Sequence, residues 1–219
     1  MLAKVRPNAD EQSATDLAMM RRCITLSAEA AKQGEFPFAA LIADGNRVVV
    51  KVTNRVVRKS DVTQHAELLA VSEAQRVLGR NDLSSCTIYS NIEPCAMCSF
   101  SIRETGIGRV VFAISSPMMG GFSKWGVLRD TEISNVMPEA FGGVPEVVVG
   151  LLRQEAEQVW REWNSVAWAI IRQRGCFGPE RAGVHYLESI PRPRSILRAF
   201  AGLYRMWRGF GRGSRSTPA

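Results

Sequence analysis

Histidine is nearly absent from this chain: His65 and His185 are the only two in 219 residues. A histidine standing near another chemistry-bearing group therefore carries more information here than in a histidine-rich protein. Cysteine is sparse as well. Cys23, Cys86, Cys95, Cys98 and Cys176 are an odd number, with only one close pair. That pattern argues against a disulfide framework and favours metal or redox chemistry. Long hydrophobic runs are missing too. Lys4, Arg6, Asp10 and Glu11 interrupt the first twenty residues, so no export signal is read there. No apolar stretch approaches the ~18 residues that a membrane helix needs. A cytoplasmic protein without a membrane span is the expectation.

Negative charge also runs out. No acidic residue follows Glu188, whereas Arg192, Arg194, Arg198, Arg205, Arg208, Arg212 and Arg215 do. With those seven set aside, 21 cations face 21 acids, so the formal net charge of +7 belongs wholly to the tail. Any attraction to nucleic acid must be argued for that segment and not for the neutral body. Within it, Ile196, Leu197, Phe200, Leu203, Tyr204 and Trp207 fall on one helical stripe edged by arginines. Such a basic amphipathic helix can lie on a membrane surface, on nucleic acid, on its own domain or on a partner subunit.

What remains is patterned. Residues 10–33 read as a helix, with Leu17, Met20, Ile24, Leu26, Ala28 and Ala31 at 3–4 spacing and Gly34 as the stop. Residues 38–43 and 48–52 are short apolar runs joined by Asp44-Gly45-Asn46, a hairpin signal. A second helix is expected from His65 to Leu78, a strand over 86–90, a third helix just after Pro94 and a strand over 109–113. That order implies a three-layer α/β domain with one mixed sheet. Residues 115–150, rich in Gly, Pro and Met, carry no clear pattern. One further helix is expected over 152–172, with Trp160 and Trp163 on its core stripe. A folded domain over 10–175 and a basic extension over 176–219 follow.

The chemistry concentrates in His65-Ala66-Glu67 and, thirty residues after the histidine, Pro94-Cys95-Ala96-Met97-Cys98. Two cysteines at the start of a helix bring both sulfurs within reach of one metal, and the helix N-terminus favours thiolates. His65 completes a three-ligand set for one Zn²⁺ per chain. Three protein ligands leave the fourth tetrahedral position open, as in a catalytic site. Glu67, two residues after the histidine, is placed to take a proton from a zinc-activated water and return it to substrate. A lone Cys-x-x-Cys or a lone His-x-Glu means little; the ordered pair means much more. Cys23, Cys86 and Cys176 read as small buried hydrophobes, and His185 as a surface or packing residue.

At these residues the chain resembles the cytidine and nucleobase deaminase superfamily, over roughly residues 16–128. The shared text is Pro37-Phe38-Ala39-Ala40-Leu41-Ile42, Asn54-Arg55, His65-Ala66-Glu67 and Glu93-Pro94-Cys95-Ala96-Met97-Cys98. It looks most like the branch of guanine deaminases and tRNA adenosine deaminases. The resemblance implies a cytidine-deaminase-like α/β/α sandwich. It assigns zinc to His65, Cys95 and Cys98, proton transfer to Glu67 and substrate contact to Asn54, with the backbone near Ala66 lining the pocket. It also implies a homodimer. The chain departs from the family at Ala39, where glycine is usual, and over 115–125, where the tRNA enzymes carry Asp-x-Lys-x-Gly.

Three functions are compatible with this text. The first is hydrolytic deamination of a free nucleobase or nucleoside, in the first instance a purine such as guanine, and the neutral body favours such a small substrate. The second is a tRNA adenosine deaminase forming inosine at the wobble position, with RNA held by the arginine tail. The third is a zinc-stabilised scaffold that acts through its tail, which would leave Glu67 without a purpose.

Overall fold

The computed structural model describes residues 14–178 and the two-residue strand Val5–Arg6. The arginine-rich stripe of 193–207 and His185 lie outside the described residues. In chain order the elements are β1 (Val5–Arg6), α1 (Ala14–Lys32), β2 (Ala39–Asp44), β3 (Arg47–Thr53), α2 (Val56–Lys59), α3 (Ala66–Leu78) and β4 (Cys86–Ile92). They continue with α4 (Ala96–Glu104), β5 (Arg109–Ile114), a 3₁₀ turn (Val127–Arg129), α5 (Thr131–Val136), β6 (Glu146–Val149), α6 (Arg153–Trp163) and α7 (Ser165–Gln173).

The sheet runs β1-β6-β5-β4-β2-β3. β2 pairs antiparallel with β3 and β4, while β4–β5, β5–β6 and β6–β1 are parallel, so the sheet is mixed as expected. Each strand sends alternate side chains to opposite faces, and the two faces build separate cores. Ala39, Leu41, Tyr89, Val111 and Ala113 meet Met20, Cys23 and Ile24 of α1 and Trp160 of α6. Ala40, Ile42, Ile88, Val110 and Phe112 meet Ala66, Ala70 and Val71 of α3 and Ile102 of α4. This is a three-layer α/β/α sandwich.

The expected hairpin forms at Asp44, with Gly45 in the left-handed region (φ 56°) that glycine enters without strain. The single helix expected over 152–172 is instead two. Asn164 leaves the helical region (φ −165°, ψ 101°), and its side-chain oxygen accepts the Ala167 N–H at 2.9 Å, capping a new helix. Asparagine competes for the backbone in this way more readily than it continues a helix. The break lets Trp160 and Trp168 pack 5.8 Å apart, centroid to centroid, in one aromatic cluster.

The unpatterned 115–150 stretch is held by polar clamps in place of hydrophobic periodicity. Fully buried Arg103 of α4 donates from Nη1 to the carbonyls of Val127 (2.6 Å) and Asp130 (2.8 Å), and from Nη2 to Ser134 and to the Gly142 carbonyl (3.3 Å). One side chain on a regular element thereby fixes an irregular segment whose own residues carry little structural signal. Among the described residues no helix is long and apolar enough to cross a membrane.

Candidate metal centre and active-site cavity

His65 and Cys95 occupy equivalent places, the residues immediately before α3 and α4. Both are extended (φ −66°, ψ 143° and φ −67°, ψ 172°), and neither side chain caps its helix. The extended backbone turns both side chains away from their helices and towards each other. Cys98, one turn into α4, completes the group.

The separations test whether a metal fits. Cys95 Sγ, Cys98 Sγ and His65 Nδ1 are each 3.6 Å from the other two. A tetrahedral zinc with Zn–S about 2.3 Å and Zn–N about 2.0 Å requires about 3.8 Å between sulfurs and about 3.5 Å from sulfur to nitrogen. The triangle therefore has the size that zinc demands, and a donor set of two thiolates and an imidazole suits that metal. Among the described residues no other group of three or more His, Cys, Asp or Glu ligands converges in this way.

Electrostatics agree. The Cys98 thiol beside it pulls Cys95 down to about 4 despite burial, with the His65 ring assisting. Cys98 is pushed up in turn by its hydrogen bond to Cys95 and by burial. A divalent cation bound there would take both sulfurs as thiolates. The Cys95 sulfur also raises the His65 pKa, against the effect of burial.

Glu67 is buried beside this group. Its Oε2 lies 3.7 Å from Cys98 Sγ, and its Oε1 accepts a hydrogen bond from Ser90 Oγ at 3.1 Å. Burial raises its pKa above the ordinary carboxylate value, while the His65 charge and the Ser90 hydroxyl pull it back. One oxygen is thus anchored on β4 and the other faces the triangle.

The group opens into a cavity of about 270 Å³ that Asn54, His65, Glu67 and Cys95 line on the polar side. Phe36, Phe38, Ile92, Met119 and Phe177 supply apolar walls. Asn54 therefore shares one space with His65, Cys95 and Glu67. Ala66 is fully buried and its side chain packs in the core beneath, so only its backbone lies between the lining residues His65 and Glu67. Cys23 and Cys86 are buried away from the group, and Cys176 is half-buried with its sulfur 4.0 Å from the Met118 sulfur.

Two buried carboxylates that sequence reasoning passed over organise this cavity. Glu35 receives the Asn54 amide and the backbone N–H groups of Val57 and Arg58. Glu93 receives the N–H groups of Ser116 (2.6 Å), Phe122 (3.0 Å) and Ser123 (2.7 Å), besides the Ser123 hydroxyl. It thereby ties down the loop that carries Met119. The available signal is local: each acid abuts apolar text (Phe36-Pro37-Phe38 after Glu35, Ile92 before Glu93), and a glutamate buried there needs a partner. The loop over 118–125 splits between wall, core and surface. Phe122 is buried, Met119 faces the cavity, and Trp125 is 61% exposed.

Comparison with known proteins agrees with this arrangement. The sequence profile of the cytidine and deoxycytidylate deaminase zinc-binding region matches residues 13–114. A tRNA-specific adenosine deaminase of Haemophilus influenzae is 30% identical over 158 residues, 71% of this chain and 83% of that protein. The chain belongs to the zinc-dependent cytidine deaminase family. A probable cytosine deaminase of Schizosaccharomyces pombe is 41% identical over 109 residues, 50% of this chain. The match covers 66% of that relative's own length. Among solved structures, a guanine deaminase from Nitrosomonas europaea superposes with a TM-score of 0.56 at 26% identity, over 72% of this chain and 89% of that one. Members of this family bind zinc, and the His65, Cys95 and Cys98 triangle is where this deaminase-family chain would hold it.

Proposed function

We propose that this chain is a zinc-dependent hydrolytic deaminase that releases ammonia from the exocyclic amino group of a free nucleobase or nucleoside, a purine such as guanine in the first instance. The observation that carries the reading is the conjunction of a zinc-sized triangle, a buried carboxylate at its side and a mostly apolar cavity in front of both. A planar heterocycle suits aromatic walls, and the few polar groups fix its orientation. A cavity of this size accommodates one base at a time, free or flipped out of a polynucleotide.

When bound, zinc supplies the Lewis acidity that makes water a usable nucleophile near neutral pH. Glu67 accepts the proton of the attacking water at Oε2, the oxygen that faces the triangle. It returns that proton to the ring nitrogen next to the reacting carbon, and a second passes to the departing amine. The balance is one water consumed, one amino group lost as ammonia and one carbonyl gained. Its raised pKa suits Glu67 to both halves of this shuttle. Ser90 keeps Oε1 occupied, so a single carboxylate oxygen faces the chemistry. Asn54 fixes the base, the backbone at Ala66 closes the polar wall, and Phe36, Phe38 and Phe177 exclude water.

The second reading is tRNA adenosine deamination, and the Haemophilus influenzae relative is the specific observation in its favour. Neither reading needs a membrane, and a homodimer is the assembly we expect. Ammonia release by the purified protein from guanine, adenine, cytosine, their nucleosides and tRNA decides between them. Activity on a base or nucleoside supports the first reading, and activity confined to tRNA replaces it with the second.

A further inference from the structure

Asn54 follows β3 directly and lines the cavity, but its amide is not free to choose which end it presents. Its Nδ2 donates to Glu35 Oε2 at 3.1 Å. Glu35 is fully buried, and every other contact to it is a donor: the N–H of Val57 on Oε2 (3.1 Å), and the N–H of Arg58 (2.8 Å) and Arg58 Nε (3.4 Å) on Oε1. An amide oxygen pointed at those two carboxylate oxygens would meet only lone pairs, so the nitrogen must face Glu35. The backbone is pinned on both sides, by the Asn54 N–H on the Phe38 carbonyl (3.0 Å) and the Arg55 N–H on the Gln64 carbonyl (3.1 Å). The Oδ1 is left over, and none of the described hydrogen bonds uses it.

From this geometry we infer that Glu35 is a positioning residue. It locks the Asn54 amide so that the cavity meets a carbonyl oxygen, and Asn54 therefore selects a base edge that carries an N–H. The inference rests on the base-deaminase reading and narrows it. In an aminopurine the ring nitrogens bonded to the reacting carbon, the N1–H of guanine among them, fall beside the zinc group and Glu67, which leaves the imidazole ring for Asn54. A free purine has one imidazole N–H to give. A nucleoside has none, because N9 carries the sugar and N7 only accepts. The site thus favours the free base over its nucleoside by hydrogen-bond polarity as well as by size, since a buried oxygen without a donor is costly.

The test compares kcat/KM for guanine and 9-methylguanine, or the corresponding pair for whichever purine base is turned over, in wild type and in Glu35→Gln. The amide introduced by that substitution can donate to Asn54 Oδ1 and so permits the Asn54 side chain to turn. The methyl group's bulk is common to both proteins and cancels when their preferences are compared. Wild type should prefer the base with the N–H by about tenfold or more. In Glu35→Gln that preference should fall towards unity through a rise in KM for guanine, with kcat changed by no more than a few-fold and one zinc per chain retained. An unchanged preference in a zinc-loaded Glu35→Gln overturns the inference. If that variant loses zinc, Glu35→Asp keeps an acceptor-only group: a preserved preference there supports the inference, and a lost preference with zinc kept overturns it. A wild type that deaminates no free purine removes the parent reading together with this one. Turnover of purine with an unresponsive ratio removes this one alone.

Discussion

Glu93→Gln should destabilise the protein by about 2–3 kcal/mol. The carboxylate is 3% exposed and accepts three backbone N–H groups and the Ser123 hydroxyl. Phe122 and Ser123 donate to Oε1, and Ser116 donates to Oε2. The single oxygen of glutamine can replace Oε1 and keep two of these bonds, but its NH₂ group then stands against the Ser116 N–H. One buried donor loses its acceptor, at a cost of about 1–3 kcal/mol, and the surviving bonds each weaken by about 1 kcal/mol without the charge. A neutral amide is easier to bury than a carboxylate, which offsets part of that sum and brings the net to about 2–3 kcal/mol. Burial pushes the Glu93 carboxyl up while the Ser116 and Ser123 N–H groups hold it down, so the substitution also reports its protonation state. Urea unfolding of both proteins, read as midpoint shifts at constant slope, measures the difference. A change within about 0.5 kcal/mol, the size of an ordinary surface substitution, would refute the reasoning and indicate a carboxyl that is already protonated. Gly120 approaches the same carboxylate from the other side, where an added Cβ would collide with both of its oxygens. Gly120→Ala should therefore loosen the same loop.

The purified protein should carry one zinc per chain, and Cys95→Ala or His65→Ala should lose it while keeping the native far-UV circular dichroism; metal retained without Cys95 would contradict the ligand assignment. Glu67→Gln should keep zinc and fold but lose about 10²–10⁴-fold in kcat, the usual scale of a proton-transfer group, measured on the substrate that the panel identifies. Truncation after residue 189 should leave deamination of a small molecule nearly unchanged. If tRNA is the substrate, the same truncation should raise KM and flatten the salt dependence by about one unit of slope for each phosphate no longer neutralised.

Much of the layer order was legible because hydrophobic period and turn chemistry agree along residues 14–114. The Asp44-Gly45 turn, the helix after His65 and the helix after Pro94 stand within a residue or two of where the pattern puts them. The metal triangle was legible because spacing encodes it, with two cysteines one helical turn apart and a single histidine near another acid. The break at Asn164 was not, since Ala156, Trp160 and Ala167 continue a 3–4 stripe across it and one side-chain cap decides the outcome. The 115–150 segment was unreadable for a related reason: what holds it is Arg103 and Glu93, which lie elsewhere in the chain. Phe177 reaches the cavity wall by tertiary packing alone, 6.1 Å from Phe38, and no local pattern announces that.

The two uncapped helix starts at His65 and Cys95 have a bearing on engineering. Serine, threonine, aspartate or asparagine at such a position typically contributes ~1 kcal/mol, and neither residue present makes that bond. A stability-driven redesign that ignored the metal would rank His65→Asp and Cys95→Ser among its favoured changes, and each would trade a proposed zinc ligand, with the stabilisation the bound metal supplies, for one helix cap. The same two positions can therefore serve as a check on any automated stabilisation of this fold, because a procedure that rewrites them has optimised the helices at the expense of what they carry.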